Sequence, residues 1–171
     1  MKVATIAMGV GLGAFLMTGC GPTGDDKSDI VGTWTKACYK PSTSTLCKNG
    51  GTYRTHTWTF EQKEFSYFAT CYSDEKCKQD EIVDENASGI YSIGGKTKDI
   101  NEKDATELDF TVKKFNGEDA NSSRYSMYRF DENDGLLIAV PKGDRDGKSS
   151  EKRRNYIGSN WKGATKQDSV Q

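Results

Sequence analysis

The residues whose types invite metal, redox or nucleophilic chemistry are Cys20, Cys38, Cys47, Cys71, Cys77 and the lone histidine, His56. Structural zinc sites usually draw two of their ligands from cysteines roughly two to four residues apart. Here Cys38 and Cys47 have eight residues between them and Cys71 and Cys77 have five, so neither pair forms such a knuckle. Any Ser-His or Cys-His dyad would have to use His56, for which no orienting partner can be named. His56 lies in a threonine- and aromatic-rich run and shares a strand face with Trp58 and Phe60, which reads as a packed or rim histidine. Neither a G-x-S-x-G elbow nor a glycine-rich phosphate loop before a helix occurs. Two Asp-Gly loops fail as EF-hands, which need oxygen ligands at the start and Glu at the end of the loop. Aligning Gly147 on the invariant glycine starts the loop at Lys142 and ends it at Arg153, and aligning Gly135 starts it at Phe130. The expectation is no enzyme, no cofactor and no metal.

The fate of Cys20 depends on what precedes it. Lys2 is positive, residues 3–17 are uncharged and apolar, and Met17-Thr18-Gly19 brings small residues up to the cysteine. That order is the pattern of a secretory signal. The run is too short to cross about 30 Å of hydrocarbon comfortably, which takes roughly 20 helical residues. Met17-Thr18-Gly19-Cys20 resembles the lipobox of bacterial lipoproteins, Leu-(Ala/Ser/Thr)-(Gly/Ala)-Cys, with Met17 in the place of Leu. The resemblance implies removal of residues 1–19 as a signal peptide and attachment of palmitate-like acyl chains to Cys20. Each buried methylene contributes about 0.8 kcal/mol, so several chains make a lasting membrane anchor. Residues 20–29, rich in Gly, Pro, Ser and charge, read as a flexible tether. Gly21 stands where Asp would imply inner-membrane retention, so the resemblance implies the outer membrane, on either its periplasmic or its surface face.

With Cys20 assigned to lipid, four cysteines remain, and an even number in an exported chain reads as two disulfides. Three connectivities are open at this point. The chain has 24 basic and 25 acidic residues. That balance gives no basic stripe for nucleic acid. Residues 30–162 suit one domain with a single core.

The domain reads as strands joined by polar turns. Residues 30–38, 52–60 and 64–72 are rich in the aromatic and β-branched types that favour extended structure. Residues 74–88 are highly charged and read as one helix or a long loop, followed by a short strand at 89–94. Residues 107–113 alternate, with Leu108, Phe110 and Val112 on one face. Residues 116–122 read as a polar loop, 123–130 and 136–140 as strands about the Asp134-Gly135 turn, 155–161 as a last element, and 163–171 as a disordered tail. Seven or eight short strands argue an all-β antiparallel barrel or sandwich.

Gly32-Thr33-Trp34 settles that choice towards a barrel, because it resembles the G-x-W opening of lipocalins and lipocalin-like bacterial lipoproteins. The resemblance implies an antiparallel barrel of about eight strands, closed at its base by Trp34, with a basic side chain from the end of the domain over the indole. Such a cation–π contact contributes about 0.5 to 2 kcal/mol. Arg153 and Arg154 are the candidates. Residues 146–155 are similar to a D-G-x-S-x-x-x-R-P-x stretch near the end of such bacterial domains, with Arg153 in the arginine place and Arg154 in that of proline. Gly32, Trp34 and Arg153 are thus the implied closure.

A remoter resemblance spans residues 30–93. Gly32, Trp34, Cys38, Phe60, Phe65, Tyr72, Asp74, Cys77, Gly89 and Tyr91 are similar in order to the extracellular domain of animal Wnt antagonists of the adenomatosis-polyposis-coli-down-regulated type. Those domains are barrel-like and hold an acyl chain. The resemblance implies the pairs Cys38–Cys77 and Cys47–Cys71.

A barrel of this size can enclose one small ligand or be filled by its own side chains. The expected lining is Trp58, Phe60, Phe65, Tyr67, Phe110, Tyr125, Met127 and Ile138, suited to a hydrophobic or amphipathic small molecule. The other reading is an envelope interaction module, an inhibitor or assembly factor that binds a protein partner through the polar loops at 39–51, 73–88 and 113–122.

Overall fold

A computed structural model describes residues 29–41, 47–48, 50–158 and 162–167. The signal segment, the acylation expected at Cys20, the tether to residue 28 and the end of the tail lie outside the described residues. Eight strands follow one another: β1 (Gly32–Tyr39), β2 (Tyr53–Glu61), β3 (Glu64–Tyr72), β4 (Ile82–Lys98), β5 (Asp104–Phe115), β6 (Glu118–Phe130), β7 (Leu136–Ile138) and β8 (Thr165–Lys166). They form one antiparallel sheet in the order β7-β6-β5-β4-β3-β2-β1-β8, and the described residues contain no helix. The two edges meet where Leu136 and Ala164 exchange backbone hydrogen bonds of 2.8 Å each, so the sheet curls into a nearly closed barrel.

Local chemistry explains the hairpins. Between β5 and β6 the turn is Asn116-Gly117, with φ of 51° and 82°. Positive φ at both central residues suits the right-handed twist of the flanking strands, and Asn-Gly tolerates it best. The polar loop expected at 116–122 is therefore a two-residue turn, and β6 begins at Glu118. Between β6 and β7, the Asp131 carboxylate accepts the backbone N–H of Asn133 and Gly135 at 2.9 and 2.8 Å. Its other oxygen accepts Gly163 N–H at 2.7 Å, which brings the chain in to β8. The tail expected to be disordered from 163 thus supplies the closing strand.

The charged stretch 74–88 is divided. Asp74 accepts the backbone N–H groups of Lys76, Lys78 and Gln79 and folds them into a tight loop. From Ile82 the chain is β4, 17 residues long, far beyond the expected 89–94. Gly89 sits on a bulge of β4 where a Cβ would collide with the Thr111 carbonyl oxygen, so a side chain there would force the strands apart. No strand forms at 155–158; Tyr156 pairs with Val140 as an isolated bridge.

Alternation along each strand sends one face inward. Ile30, Trp34, Phe60, Leu108 and Tyr128 pack with Tyr91 and Leu136 into a cluster at the end of the barrel where β1 starts. Phe60 and Leu108 are fully buried, and each such side chain contributes about 1.5 to 3 kcal/mol. The Trp34 indole donates to the Ile30 carbonyl at 2.7 Å. Outside, threonines pair across β1 and β2, Thr33 with Thr59 and Thr35 with Thr57.

The disulfides are Cys38–Cys77 and Cys47–Cys71, with Cα separations of 5.7 and 6.0 Å. Both lie at the end of the barrel opposite the Trp34 cluster. Each ties a loop to a strand end.

Candidate functional site

The interior above the Trp34 cluster is hollow. A cavity of about 1190 Å³ reaches from Phe65 and Phe110 up to Tyr39, Lys40 and Pro141. β2 and β3 build its aromatic wall. Trp58 lies 4.3 Å from Tyr67 and 5.5 Å from Phe110, ring centre to ring centre, and Phe65 meets Phe110 edge-on at 4.8 Å. Exposed Phe115 and Val140 stand at the rim.

Above the aromatic wall the lining turns polar. His56 joins two tyrosines, with Nε2 2.6 Å from the Tyr39 hydroxyl and Nδ1 2.6 Å from the Tyr67 hydroxyl. Burial holds the imidazole pKa down to about 3, and the charges of Arg54 and Lys36 push the same way. His56 is therefore neutral at physiological pH. Burial likewise raises the Tyr39 and Tyr67 phenols, so both carry their protons. Burial lowers the Lys36 ammonium, which stands over the Tyr39 ring 4.3 Å from its centre. Arg54 is buried and pairs with Asp84 at 3.2 Å and Glu85 at 3.7 Å. Arg124 and Arg154 face the cavity from β6 and from the segment that follows the 146–153 turns.

Of the lining expected from the sequence, the structure brings together Trp58, Phe65, Tyr67, Phe110 and Ile138. Phe60 lies beneath the floor, inside the base cluster. Tyr125 and Met127 do not line the cavity. They alternate with Arg124, Ser126 and Tyr128, and those three face inward. Met127 packs instead with Ala105, Leu137, Ala139 and Ile157 in a second cluster. The Tyr125 ring lies against the Arg153 guanidinium at 5.7 Å.

Arg153 is not the residue over Trp34. It pairs with Glu107 at 3.3 Å and closely with Asp109, and donates to the Ser126 carbonyl at 2.8 Å. The cation over Trp34 is Lys166 of β8, with Nζ 5.4 Å from the ring centre. Gly32 leaves it room: its φ is +127°, and a Cβ there would lie 2.6 Å from Lys166 Cε.

The basic side chains of the cavity were missed from the sequence, although their signal is there. Arg54 shares its parity with His56 and Trp58 along β2, and Arg124 shares its parity with Ser126 and Tyr128 along β6. Among the described residues no group of three or more His, Cys, Asp or Glu could hold a metal ion. Fold and cavity together define an antiparallel β-barrel plugged at one end and hollow at the other. No protein-family model matches the chain, and a search of curated proteins found no match.

Proposed function

We propose that this chain is a lipid-anchored, lipocalin-like protein of the bacterial cell envelope that holds a small hydrophobic or acylated ligand inside its barrel. The observation that carries the reading is the hollow interior, walled by Trp58, Phe65 and Phe110 and closed below by Trp34. Pockets for small molecules combine such apolar walls with a few placed polar groups, in volumes of about 300 to 1,000 Å³. A barrel that served only as scaffold would gain stability by filling that space with its own side chains.

The chain enters the barrel at the plugged end, where the Tyr128 hydroxyl donates to Asp29 at 2.7 Å. With an acyl anchor at Cys20, the membrane attachment lies nearer in sequence to the plugged end than to the mouth. A neutral hydrophobic dye taken up by the protein and displaced by fatty acids at micromolar concentration supports the reading. Absence of uptake overturns it. In that event the disulfide-braced loops at the mouth favour the other reading, an interaction module that binds an envelope protein. Radiolabelled palmitate entering the wild-type chain but not Cys20→Ser tests the anchor separately.

A further inference from the structure

The interior of this barrel is charged more one-sidedly than its apolar walls require. The whole chain carries 24 basic and 25 acidic side chains. Among the described residues, Lys36, Lys40, Arg54, Arg124, Arg154 and Lys162 line the cavity against a single carboxylate, Glu85. Glu85 in turn lies 3.7 Å from Arg54, so its charge is already engaged.

Arg124 and Arg154 carry the excess. Among the described residues neither stands in an ion pair, whereas Arg54, Arg129 and Arg153 all do. Arg124 donates to its neighbour's carbonyl, that of Ser123, and Arg154 to the carbonyl of Asp146. Burial and the neighbouring Arg124 charge lower the Arg154 pKa, and the carboxylates of Asp146 and Glu85 offset only part of that. Like charges held together in a partly desolvated place cost free energy, and an anion between them removes that cost.

The histidine and its tyrosines point the same way by a count of protons. A neutral imidazole has one N–H and one bare nitrogen. Tyr39 and Tyr67 both bond to His56, so one of them donates to it and the other accepts from it. The accepting tyrosine keeps its own O–H to offer to a further acceptor. A carboxylate or phosphate is an acceptor of that kind.

We infer that the barrel takes an anionic amphiphile. Its apolar chain lies along Trp58, Phe65 and Phe110, and its carboxylate or phosphate head lies at the mouth between Arg124 and Arg154, within reach of Lys36 and the tyrosine hydroxyls. This rests on the proposed ligand-holding barrel and adds the charge and direction of the ligand: chain inward, head outward. The head is placed at the mouth because Lys36, Arg124 and Arg154 line the cavity there, whereas the base cluster is built mainly of apolar side chains.

The test is calorimetric titration of the full chain carrying Cys20→Ser, exported and freed of lipid. Four matched probes are used below their micelle concentrations: dodecanoate, dodecyl phosphate, dodecanol and dodecyltrimethylammonium. An anionic probe binding about tenfold or more tighter than dodecanol is the expected result. Arg124→Gln should weaken the anionic probes far more than dodecanol, and Arg124→Lys should restore part of the preference. Lys36→Gln serves as the second, independent variant. Preference for dodecanoate assigns a fatty-acid carboxylate, and preference for dodecyl phosphate assigns a phosphorylated lipid; either supports the inference. Equal binding of dodecanol, or tighter binding of the ammonium probe, overturns the anionic head and leaves the ligand-holding barrel standing. Binding of none of the four overturns both.

Discussion

The Lys166 ammonium stands over the Trp34 indole, 5.4 Å from the ring centre, and its stem passes over Gly32, where a Cβ would lie 2.6 Å from Cε. Three observations thereby become one device. Gly32 adopts a φ of +127°, Trp34 plugs the barrel and donates to Ile30, and the last strand is held against the first. Gly32→Ala should destabilise the fold by about 1 to 3 kcal/mol, through backbone strain and the clash with Lys166. Lys166→Ala should cost less, about 0.5 to 2 kcal/mol, because only the cation–π contact is lost. Urea denaturation of the two variants measures both, and equal stability of Gly32→Ala and wild type would contradict the arrangement.

The disulfides brace the mouth and lie far from the base. Peptide mapping without reduction should recover Cys38 joined to Cys77 and Cys47 joined to Cys71. Replacing both cysteines of either pair by serine should cost about 2 to 5 kcal/mol, as loss of a native disulfide from a small exported domain usually does. The base cluster should survive, so tryptophan fluorescence of the variants in native buffer should keep a buried Trp34 component.

Neighbouring arginines should separate in function. Arg153 binds Asp109 and Glu107 beside the Tyr125 ring, so Arg153→Ala should lower stability by about 1 to 2 kcal/mol and leave ligand affinity unchanged. Arg154 lines the cavity, so Arg154→Gln should weaken binding of an anionic ligand about tenfold. Thermal melts and calorimetry on the two variants check the division.

His56 sets a pH dependence with a definite sign. Its folded pKa is about 3 against an ordinary 6.5. Between those values the unfolded chain binds a proton that the folded chain refuses, so stability rises with pH across the window. The His56 contribution is complete above about pH 6.5 and is lost as pH falls towards 3. His56→Gln should flatten the slope of stability over that range relative to wild type, in denaturant titrations at several pH values. An unchanged slope would mean that the histidine titrates alike in the folded and the unfolded chain.

Asp131 should act oppositely to an ordinary buried acid. Burial pushes its pKa up, but the N–H groups of Gly163, Gly135 and Asn133 outweigh that and hold it below the usual value. Asp131→Asn keeps the shape and gives up charge-assisted bonds, so it should cost about 1 to 3 kcal/mol. Hydrogen exchange should quicken at Ala164 and Leu136, where the barrel closes.

Much of the fold was legible residue by residue. Alternation in 107–113 placed Leu108, Phe110 and Val112 on the inner face of β5, and the aromatic runs at 52–60 and 64–72 are β2 and β3 within a residue or so. Those signals are local, because a strand half-buried on one side must repeat every second residue. Asn116-Gly117 was equally local; reading it as part of a polar loop displaced the start of β6.

The site needed more than period. On β6 both faces carry aromatic and apolar residues, Tyr125 and Met127 on one and Tyr128 and Phe130 on the other, so hydrophobicity cannot say which face is inside. The choice was made by Leu137 and Ala139 on the next hairpin arm and by Ile157 from farther along the chain, which together cover Met127. Arg153 and Lys166 show the same limit, since either could reach an indole and only the path of the closing strand decides which does.

By itself the sequence determined that this is an all-β domain, where most of its strands lie, and that aromatic residues crowd β2 and β3, because these follow from neighbours within a few residues. Only the tertiary structure decided which face of β6 looks inward, that residues 163–167 close the barrel, and that Lys36, Arg124 and Arg154 converge on one cavity. Those facts depend on register between strands far apart in the chain, where a shift of one residue would turn every side chain to the other face.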